Sequence, residues 1–492
     1  MTTNQSPQPP AGQPPLGQPP AAHRRPVTLG RKIALIGAIA GMVAATGIAA
    51  FALPAGADGW FSSSSSPSSS AATASGSGPS AAAPASIAPA GARPSASAPA
   101  KAAASTPPKT AGACARPVGA APTAKVTTVA LGSGVAGYGG EGDTDPLPMA
   151  IAATPSGGSW LAWLGTDGKV HLGRLGCDDK LVGTPTSFTG IDLQDVQADA
   201  NGGVLLLTRR GACHAGPLCG GESSPCNTMH MIRFDNSGHQ VWERQVTNLT
   251  DARGGYDDGA RFVWWYQHHG RLASDGSNYA AYFGVAITVK NGSCVDIHEG
   301  DRMQVVSRAG KVVSGGFEVG CSHSWTSRIV WDPRAKRFVT VCATDNNCRI
   351  AQPSPYRTVA TGTCDGTLFG GDLVLAKAKG YWTAWSQGGT VRLSHFSGNA
   401  AADRTIKTAA GSAHPHLVSY GSGKMLLAWQ SGSSLAAQVY DAGSGAAIGK
   451  PLKIAVKDHN YQAFKPYADG STAYPAAGTS SSTIKIARVF PS

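Results

Sequence analysis

The sequence predicts an all-β fold built from repeated units, and three observations support this. Beyond residue 112, Gly, Ser, Thr and Val are abundant and the apolar runs are short, which is typical of strands. The segments between these runs carry Gly, Asn and Asp, which accept the positive φ of tight hairpins. A short apolar pattern that ends in Ala-Trp also recurs along the chain.

This recurring pattern consists of an apolar strand that ends in Trp, a Gly/Ser turn and a strand of alternating apolar and polar residues. The apolar strand of the pattern ends at Trp163, Trp385 and Trp429. The alternating strand follows at 169–172, 390–393 and 434–437, and 483–486 matches it near the C-terminus. Such alternation predicts strands that pack on one face.

A further strand precedes each such pair, and we place seven of these first strands. They begin near Met149, Val196, Leu272, Ile329, Leu373, Leu417 and Pro466. Most of the spacings are about 44 to 57 residues, and periods of roughly 40 to 50 residues with four short strands are typical of β-propeller blades. The sequence therefore predicts a seven-bladed β-propeller. A β-sandwich or two smaller β domains is the alternative.

The last repeat is one strand short, because the chain ends soon after the strand at 484–490. Residues 125–131 precede the first full blade and have no partner within it. We expect them to supply the outer strand of blade seven. That closure of the ring would remove two open sheet edges.

Composition divides the chain into four parts. Residues 1–32 form a Pro/Gln-rich tail and residues 54–112 an Ala/Ser/Pro-rich linker, and neither has enough apolar surface to fold, so both are expected to be disordered. Between them, residues 33–53 are apolar and uncharged and are long enough to cross a bilayer as one helix. Residues 113–492 are the predicted propeller domain.

The charges beside the apolar segment indicate its orientation. Arg24, Arg25, Arg31 and Lys32 precede it, so we expect a cytoplasmic N-terminus, a single-pass transmembrane helix or uncleaved signal anchor, and an extracellular propeller. The alternative is a signal peptide cleaved near Ala57, which would release the rest of the chain. Both interpretations export the propeller.

All ten cysteines follow the apolar segment. An even number of cysteines on the exported side predicts disulfide bonds. Cys213, Cys219 and Cys226 share one Gly/Pro-rich insertion, and Cys342 and Cys348 flank a tight turn, so we expect local pairs at both places, with the connectivity left open. A zinc site in the insertion is the alternative, but its spacings match no finger pattern.

Four of the twelve net positive charges lie beside the apolar segment, two lie in the linker, and about six are scattered over the rest of the exported part. Without a basic run or helix, nucleic acid is not expected as a partner. Scattered positive charge outside the cell fits an anionic surface environment weakly. We expect a monomer.

In its blade period and turns, the chain resembles secreted bacterial β-propeller repeat proteins over residues 123–492, at the level of architecture. The resemblance implies that the first strand of each blade lines a central channel and that the loops before these strands form a ligand-binding rim. The expected ligand-binding residues on this rim are His268, His269, Arg271, His323, Arg328, His414, His416 and Lys465. Such a set would attract a carboxylate, a phosphate or an acidic sugar. A packed channel with hydrogen-bonded histidines is the alternative.

A second polar cluster consists of Asp296, His298, Glu299 and Asp301. It offers oxygen ligands for calcium but does not have EF-hand spacing, and strand-end charges paired with nearby arginines are the alternative. The sequence contains neither Gly-x-Ser-x-Gly nor His-Glu-x-x-His. We therefore assign no catalytic residue and no cofactor, and we leave any metal undefined.

These observations favour a membrane-anchored extracellular module for ligand binding or protein interaction over an enzyme. The expected partner is a cell-surface glycan, a cell-wall polymer or another exported protein. The alternative function is a propeller hydrolase, of glycosidase or phosphoesterase type, that uses the same His/Arg rim.

Overall fold

A computed structural model describes the residues 114, 119–136, 148–213, 219, 226–247, 261–264, 270–318, 321, 326–344, 348–365, 367–397, 402, 404–410, 414–459 and 461–492. The predicted tail, membrane segment and linker lie outside these residues. The described residues form strands, turns and loops without a helix. Among them, accordingly, no helix has the length and apolarity needed to span a bilayer.

The first strand of the chain, β1 (Thr123–Ala130), belongs to the last blade. Blade one consists of β2 (Met149–Ala153), β3 (Ser159–Leu164), β4 (Lys169–Leu175) and β5 (Leu181–Thr189). Blade two consists of β6 (Asp195–Ala198), β7 (Val204–Cys213), β8 (Cys226–Phe234) and β9 (Gln240–Gln245). After a bridging strand, β10 (Arg261–Trp264), blade three consists of β11 (Arg271–Ser274), β12 (Asn278–Asn291), β13 (Cys294–Ser307) and β14 (Val312–Glu318).

The remaining four blades repeat this antiparallel order. Blade four consists of β15 (Thr326–Asp332), β16 (Arg337–Thr344), β17 (Arg349–Pro353) and β18 (Tyr356–Thr361). Blade five consists of β19 (Phe369–Leu375), β20 (Tyr381–Gln387), β21 (Thr390–Phe396) and β22 (Arg404–Ala410). Blade six consists of β23 (His416–Tyr420), β24 (Lys424–Ser431), β25 (Ser434–Asp441) and β26 (Ala447–Ile454). Blade seven consists of β27 (Lys465–Pro466), β28 (Thr472–Ala477), β29 (Thr483–Phe490) and β1.

The innermost strands β2, β6, β11, β15, β19, β23 and β27 contact one another in this order, and β27 contacts β2. The chain is a seven-bladed β-propeller. The seven predicted first strands are confirmed, and the largest offset is at blade five, where the strand begins at Phe369 rather than near Leu373. β1 pairs with β29 along its whole length, from Thr123 opposite Phe490 to Ala130 opposite Thr483.

The channel has two distinct ends. Because all innermost strands run in the same direction around a propeller, their first residues lie at one end, which we call the entry side. The hairpins that join each innermost strand to the second strand of its blade lie at the other end, which we call the turn side. β1 begins opposite the end of β29, so the chain enters the propeller on the turn side.

Buried polar contacts join neighbouring blades. An indole N–H of one blade donates to a backbone carbonyl of the next at 2.9 Å in three pairs: Trp160 to Gly202, Trp242 to Arg308, and Trp382 to Ala442. Blade seven is joined to blade one by a buried ion pair in which Arg488 Nε donates to Asp179 Oδ2 at 3.0 Å. Each contact satisfies polar atoms that the packed blades exclude from water.

Blades two and three depart from the regular repeat. β12 and β13 are each 14 residues long, and β10 pairs with both β8 and β12, so the two blades share one sheet. Cys219 in the blade-two insertion forms a disulfide with Cys294 at the tip of the long hairpin. Because β12 runs towards the entry side, this extension lies there.

Three further disulfides are present within the described residues, namely Cys114–Cys177, Cys321–Cys342 and Cys348–Cys364. The expected local pair between Cys342 and Cys348 is wrong, because each of these residues pairs with another partner. Cys213 and Cys226 lie opposite each other in the β7–β8 register. The prediction of disulfide bonds is confirmed, and these bonds indicate an oxidising compartment.

Candidate functional site

A cavity of about 320 Å³ lies in the central channel. Its wall comes from the innermost strands of six blades and includes the apolar residues Leu272, Leu373 and Leu417. Ser419 and Pro466 also line it, are exposed, and lie where their strands end, so the cavity opens on the turn side. A volume of about 300 Å³ or more is typical of small-molecule sites.

Four charged residues line the entry end of this cavity and a fifth forms an ion pair with one of them, and we call these five residues the charged layer. They come from blades two to five and seven and are Asp195, Arg271, Arg328, Asp372 and Lys465. Asp195, Arg271 and Lys465 are the first residues of their innermost strands, whereas Arg328 is the third residue of β15 and Asp372 the fourth of β19. The register of the propeller therefore brings together side chains that are far apart in sequence.

Asp372 is shared by the two arginines of the charged layer. Its Oδ1 lies 3.0 Å from Arg328 Nε and 3.8 Å from Arg271 Nε. Its Oδ2 accepts the backbone N–H of Leu417 at 3.3 Å. One carboxylate thus faces two guanidinium groups, of which Arg328 is only 2% exposed and Arg271 4% exposed.

Lys465 and Asp195 form the second ion pair of the layer. Lys465 Nζ lies 2.7 Å from both carboxylate oxygens of Asp195, and Asp195 Oδ2 also accepts the N–H of Leu272 at 2.9 Å. Across the channel, Arg271 Nη2 donates to the carbonyls of Tyr461 and Gln462 at 2.7 and 3.2 Å. The segment before β27 therefore covers the layer on the entry side.

The charged layer carries an excess of positive charge, because it holds three cations and two carboxylates. Burial, together with the neighbouring charge of Arg271, lowers the pKa of the Arg328 guanidinium to about 10 despite the opposing effect of Asp372. A buried charge that is only partly compensated favours a bound counter-ion. The charged layer is thus suited to hold an anion at the floor of the cavity.

His414 and His416 lie beside this layer and share a different carboxylate, although His416 Nδ1 also lies 4.0 Å from Asp372 Oδ2. His416 Nε2 is 2.7 Å from Asp458 Oδ1, and His414 Nδ1 is 3.3 Å from Asp458 Oδ2. The Tyr474 hydroxyl donates to Asp458 Oδ1 at 3.0 Å. Burial alone would raise the pKa of the Asp458 carboxyl, but His416 and His414 hold it below its ordinary value.

The residues expected on a ligand-binding rim are thus partly brought together. Arg271, Arg328 and Lys465 meet in the charged layer, whereas His414 and His416 bind Asp458 behind it. All five are buried, so they form a closed layer at the strand starts rather than an exposed rim. The other three expected residues, His268, His269 and His323, lie outside the described residues.

Sequence reasoning missed the acidic partners Asp372 and Asp458, and the expected ligand-binding residues did not include Asp195. The available signal was the alignment of the predicted strand starts, because Asp195, Arg271 and Asp372 each directly precede one of them. Reading that alignment for acidic as well as basic residues would have paired the charges.

The second polar cluster takes a different form. Asp301 is fully buried, and it accepts hydrogen bonds from the Tyr282 hydroxyl and from the Cys321 N–H. Asp301, Cys321 and Cys342 are the single group of possible metal ligands in the described part of the chain. Because the two cysteines form a disulfide, they offer no thiolate to a metal. Asp296, His298 and Glu299 lie in β13, with their side chains outside the described residues.

No protein-family model matches the chain, and no curated protein matches it in sequence. Among solved structures, the chain is similar to the dihydro-heme d1 dehydrogenase NirN in complex with DHE, with 12% identity, a TM-score of 0.34, and coverage of 63% of this chain and 67% of that chain. The PQQ-bound aldose sugar dehydrogenase from Streptomyces coelicolor shows 14% identity and a TM-score of 0.35, with coverage of 75% of this chain and 100% of that chain. The Dos1 propeller shows 9% identity and a TM-score of 0.37, with coverage of 70% of this chain and 94% of that chain. Likenesses this low carry neither activity nor ligand over to this chain.

Proposed function

We propose that this chain is a membrane-anchored, extracellular binding module whose channel holds an anionic group of a cell-surface glycan or cell-wall polymer. The observation that carries the proposal is the unequal charge of the buried layer, in which, among the described residues, Arg271, Arg328 and Lys465 face Asp195 and Asp372. A carboxylate at the floor of the cavity would complete the pairing, and arginine binds carboxylates through two parallel hydrogen bonds.

Several features support the rest of this proposal. The disulfides suit an oxidising space outside the cytoplasm. The apolar segment at 33–53 supplies a membrane anchor, and residues 54–112 supply a stalk. The cavity has both apolar wall residues and a polar floor, as sites for small organic anions do.

The hydrolase alternative has no comparable support. Acid–base catalysis would need a carboxyl or imidazole group free to exchange a proton with substrate. Among the described residues around the cavity, Asp372 faces two arginines, Asp195 faces Lys465, and Asp458 lies between two histidines.

The test of the channel site is calorimetric titration of the full-length chain in neutral detergent with galacturonate, a sugar carboxylate, and with galactose, its uncharged counterpart. We expect galacturonate alone to bind and Arg328→Gln to weaken it roughly tenfold or more, since a charged hydrogen bond is lost. Arg271 remains next to Asp372 in this variant, so folding should persist. Arg404→Gln, which removes an exposed arginine of β22, is the control.

Equal galacturonate binding by wild type and a folded Arg328→Gln variant would refute the channel site. The membrane placement is tested separately by treating intact cells with protease. Residues 113–492 should be digested while the N-terminal tail stays protected, and protection of the propeller would refute an extracellular location.

A further inference from the structure

The hairpins around the mouth of the cavity differ sharply in charge. All seven of these hairpins, which join innermost to second strands, lie within the described residues. In blades four to six, they and the adjoining strand starts carry Arg334, Lys336, Arg337, Lys377, Lys379 and Lys424, a set that we call the basic arc. The hairpins of the other four blades carry no Lys or Arg, and their charged residues are Asp199, Asp275 and Asp469.

The basic arc is continuous because neighbouring hairpins touch. Arg334 of blade four donates from Nη1 to the carbonyls of Ala376 and Ala378 in the hairpin of blade five, each at 2.9 Å. The side chain of Lys377 in turn lies against Gly423 in the hairpin of blade six. The cations of three blades therefore follow one side of the mouth as a single band.

Half of the six cations of the arc have no counter-charge close by among the described residues. Arg334 is paired with Asp332 at 3.0 Å, but Lys336, Arg337 and Lys379 are exposed and take part in no ion pair within the described part of the chain. Exposed like charges repel one another, and at about 0.15 M salt they interact over roughly 8 Å. A bound polyanion would relieve that repulsion along the whole band.

We propose that the basic arc binds an acidic polysaccharide chain that runs along blades four to six. This inference builds on the proposed binding role, but it assigns a second surface and an extended ligand. The half-buried Trp331 lines the cavity next to the arc and offers an apolar ring to a sugar. The polysaccharide can therefore lie on the basic arc while one of its acidic sugar units reaches the charged layer.

A flat anionic membrane fits this face less well. Asp275 and Asp469 lie in the hairpins of blades three and seven on the same side of the propeller, and Asp469 is exposed. A membrane large enough to cover the basic arc would also bring its negative charge close to these carboxylates. A polysaccharide chain, in contrast, can follow the basic arc alone. The separation of charge among the hairpins at the mouth thus favours a linear ligand.

The test compares two triple variants of the full-length chain. The arc variant carries Lys336→Gln, Arg337→Gln and Lys379→Gln. The matched control variant carries Lys169→Gln, Lys450→Gln and Lys453→Gln, which removes three exposed lysines elsewhere and gives the same net charge. Binding is measured with polygalacturonate, galacturonate and phosphatidylglycerol vesicles at low and moderate salt.

We expect the arc variant to bind polygalacturonate roughly tenfold or more weakly at low salt and to lose most of the salt dependence, because fewer counter-ions are released. Binding of galacturonate should be unchanged in the arc variant, and the control should match wild type for both ligands. If the arc variant and the control bind the polymer equally, the inference is wrong. Arc-dependent binding of vesicles without binding of the polymer would replace it with a membrane contact.

The two proposals fail separately in this experiment. Polymer binding that depends on the arc, in a protein that does not bind galacturonate, would support the arc and refute the channel site. Galacturonate binding that Arg328→Gln removes, without arc-dependent polymer binding, would do the reverse.

Discussion

Replacement of Asp372 by Asn removes the one carboxylate that both buried arginines share, with little change of shape. The layer would then hold Arg271, Arg328 and Lys465 against Asp195 alone. We expect two opposite results. The folded state should lose stability, because Arg328 keeps its charge without a partner, and affinity for a small anion should rise, because the layer gains one net positive charge.

The distances set the size of the stability loss. At an effective dielectric constant of about 20, a charge at 3.0 Å contributes roughly 5 kcal/mol and one at 3.8 Å roughly 4 kcal/mol. Desolvation of the Asp372 carboxylate offsets several kcal/mol of this, so we expect a net loss of about 3–5 kcal/mol. In a domain of this size, that corresponds to a fall in melting temperature of about 4–6 °C.

The assay is thermal melting of the full-length chain with and without added acetate at constant ionic strength. Acetate should raise the melting temperature of Asp372→Asn more than that of wild type, because the anion binds the folded state where the carboxylate was. Asp178→Asn is the control, since Asp178 is exposed and its nearest lysine is 4.0 Å away. A variant that melts with wild type, or one that acetate does not stabilise selectively, would show that Asp372 does not balance the arginines.

Three further predictions concern the buried contacts between and beside the blades. Arg488→Gln leaves Asp179 buried without its cation at the junction of blades seven and one, so we expect a loss of about 3–5 kcal/mol by chemical denaturation; a loss below 1 kcal/mol would contradict this (about the value of an exposed pair). Trp160→Phe removes the indole donor to Gly202 and should cost about 1–3 kcal/mol, with an unchanged fold by circular dichroism. The pKa of Asp458 is lowered in the folded state, so its contribution to stability is present above about pH 4 and is lost as the pH falls through the folded pKa. The melting temperature of Asp458→Asn should therefore fall less than that of wild type between neutral pH and pH 2, and parallel curves would refute the assignment.

The blade pattern could be predicted from the sequence because both faces of each propeller sheet are buried between neighbours. Trp163, Trp385 and Trp429 recur because the second strand of a blade packs on both sides, and they are 1%, 5% and 7% exposed. The blade period and the burial of the second strand therefore produce the same sequence pattern in each repeat. The long hairpin of blade three produces no such pattern, because the alternation of apolar and polar residues does not indicate where a strand extends beyond its sheet.

Disulfide partners were harder to predict for a similar reason. Cys219 and Cys294 are separated by 75 residues, and the pairing depends on a hairpin that extends over a neighbouring insertion. Proximity in sequence favoured a pair between Cys342 and Cys348, but Cys342 lies in β16 and reaches Cys321, whereas Cys348 reaches Cys364. Sequence distance is a poor guide where loops from different blades meet.

The basic residues of the site were found because the starts of innermost strands converge, and this needed only the blade register. The burial of these residues was not predicted, because a search for basic residues alone does not reveal the acidic partners with which they are paired. Asp372 shows what was missing. It lies in a different blade from either arginine, so only the closed ring brings the three side chains within ion-pair distance.

The charged layer and the hairpins together make the propeller two-sided. The layer and the segment before β27 close the entry side, so the proposed ligand would reach the cavity from the turn side, where the basic arc also lies. The same side receives the chain, since β1 begins there and Cys114 is tied to Cys177 in the β4–β5 turn. The projecting hairpin of blade three lies on the opposite side and carries its own disulfide. A polymer bound at the turn side would therefore leave the entry side uncovered, so substitutions in that hairpin should not change polymer binding, whereas substitutions in the arc should.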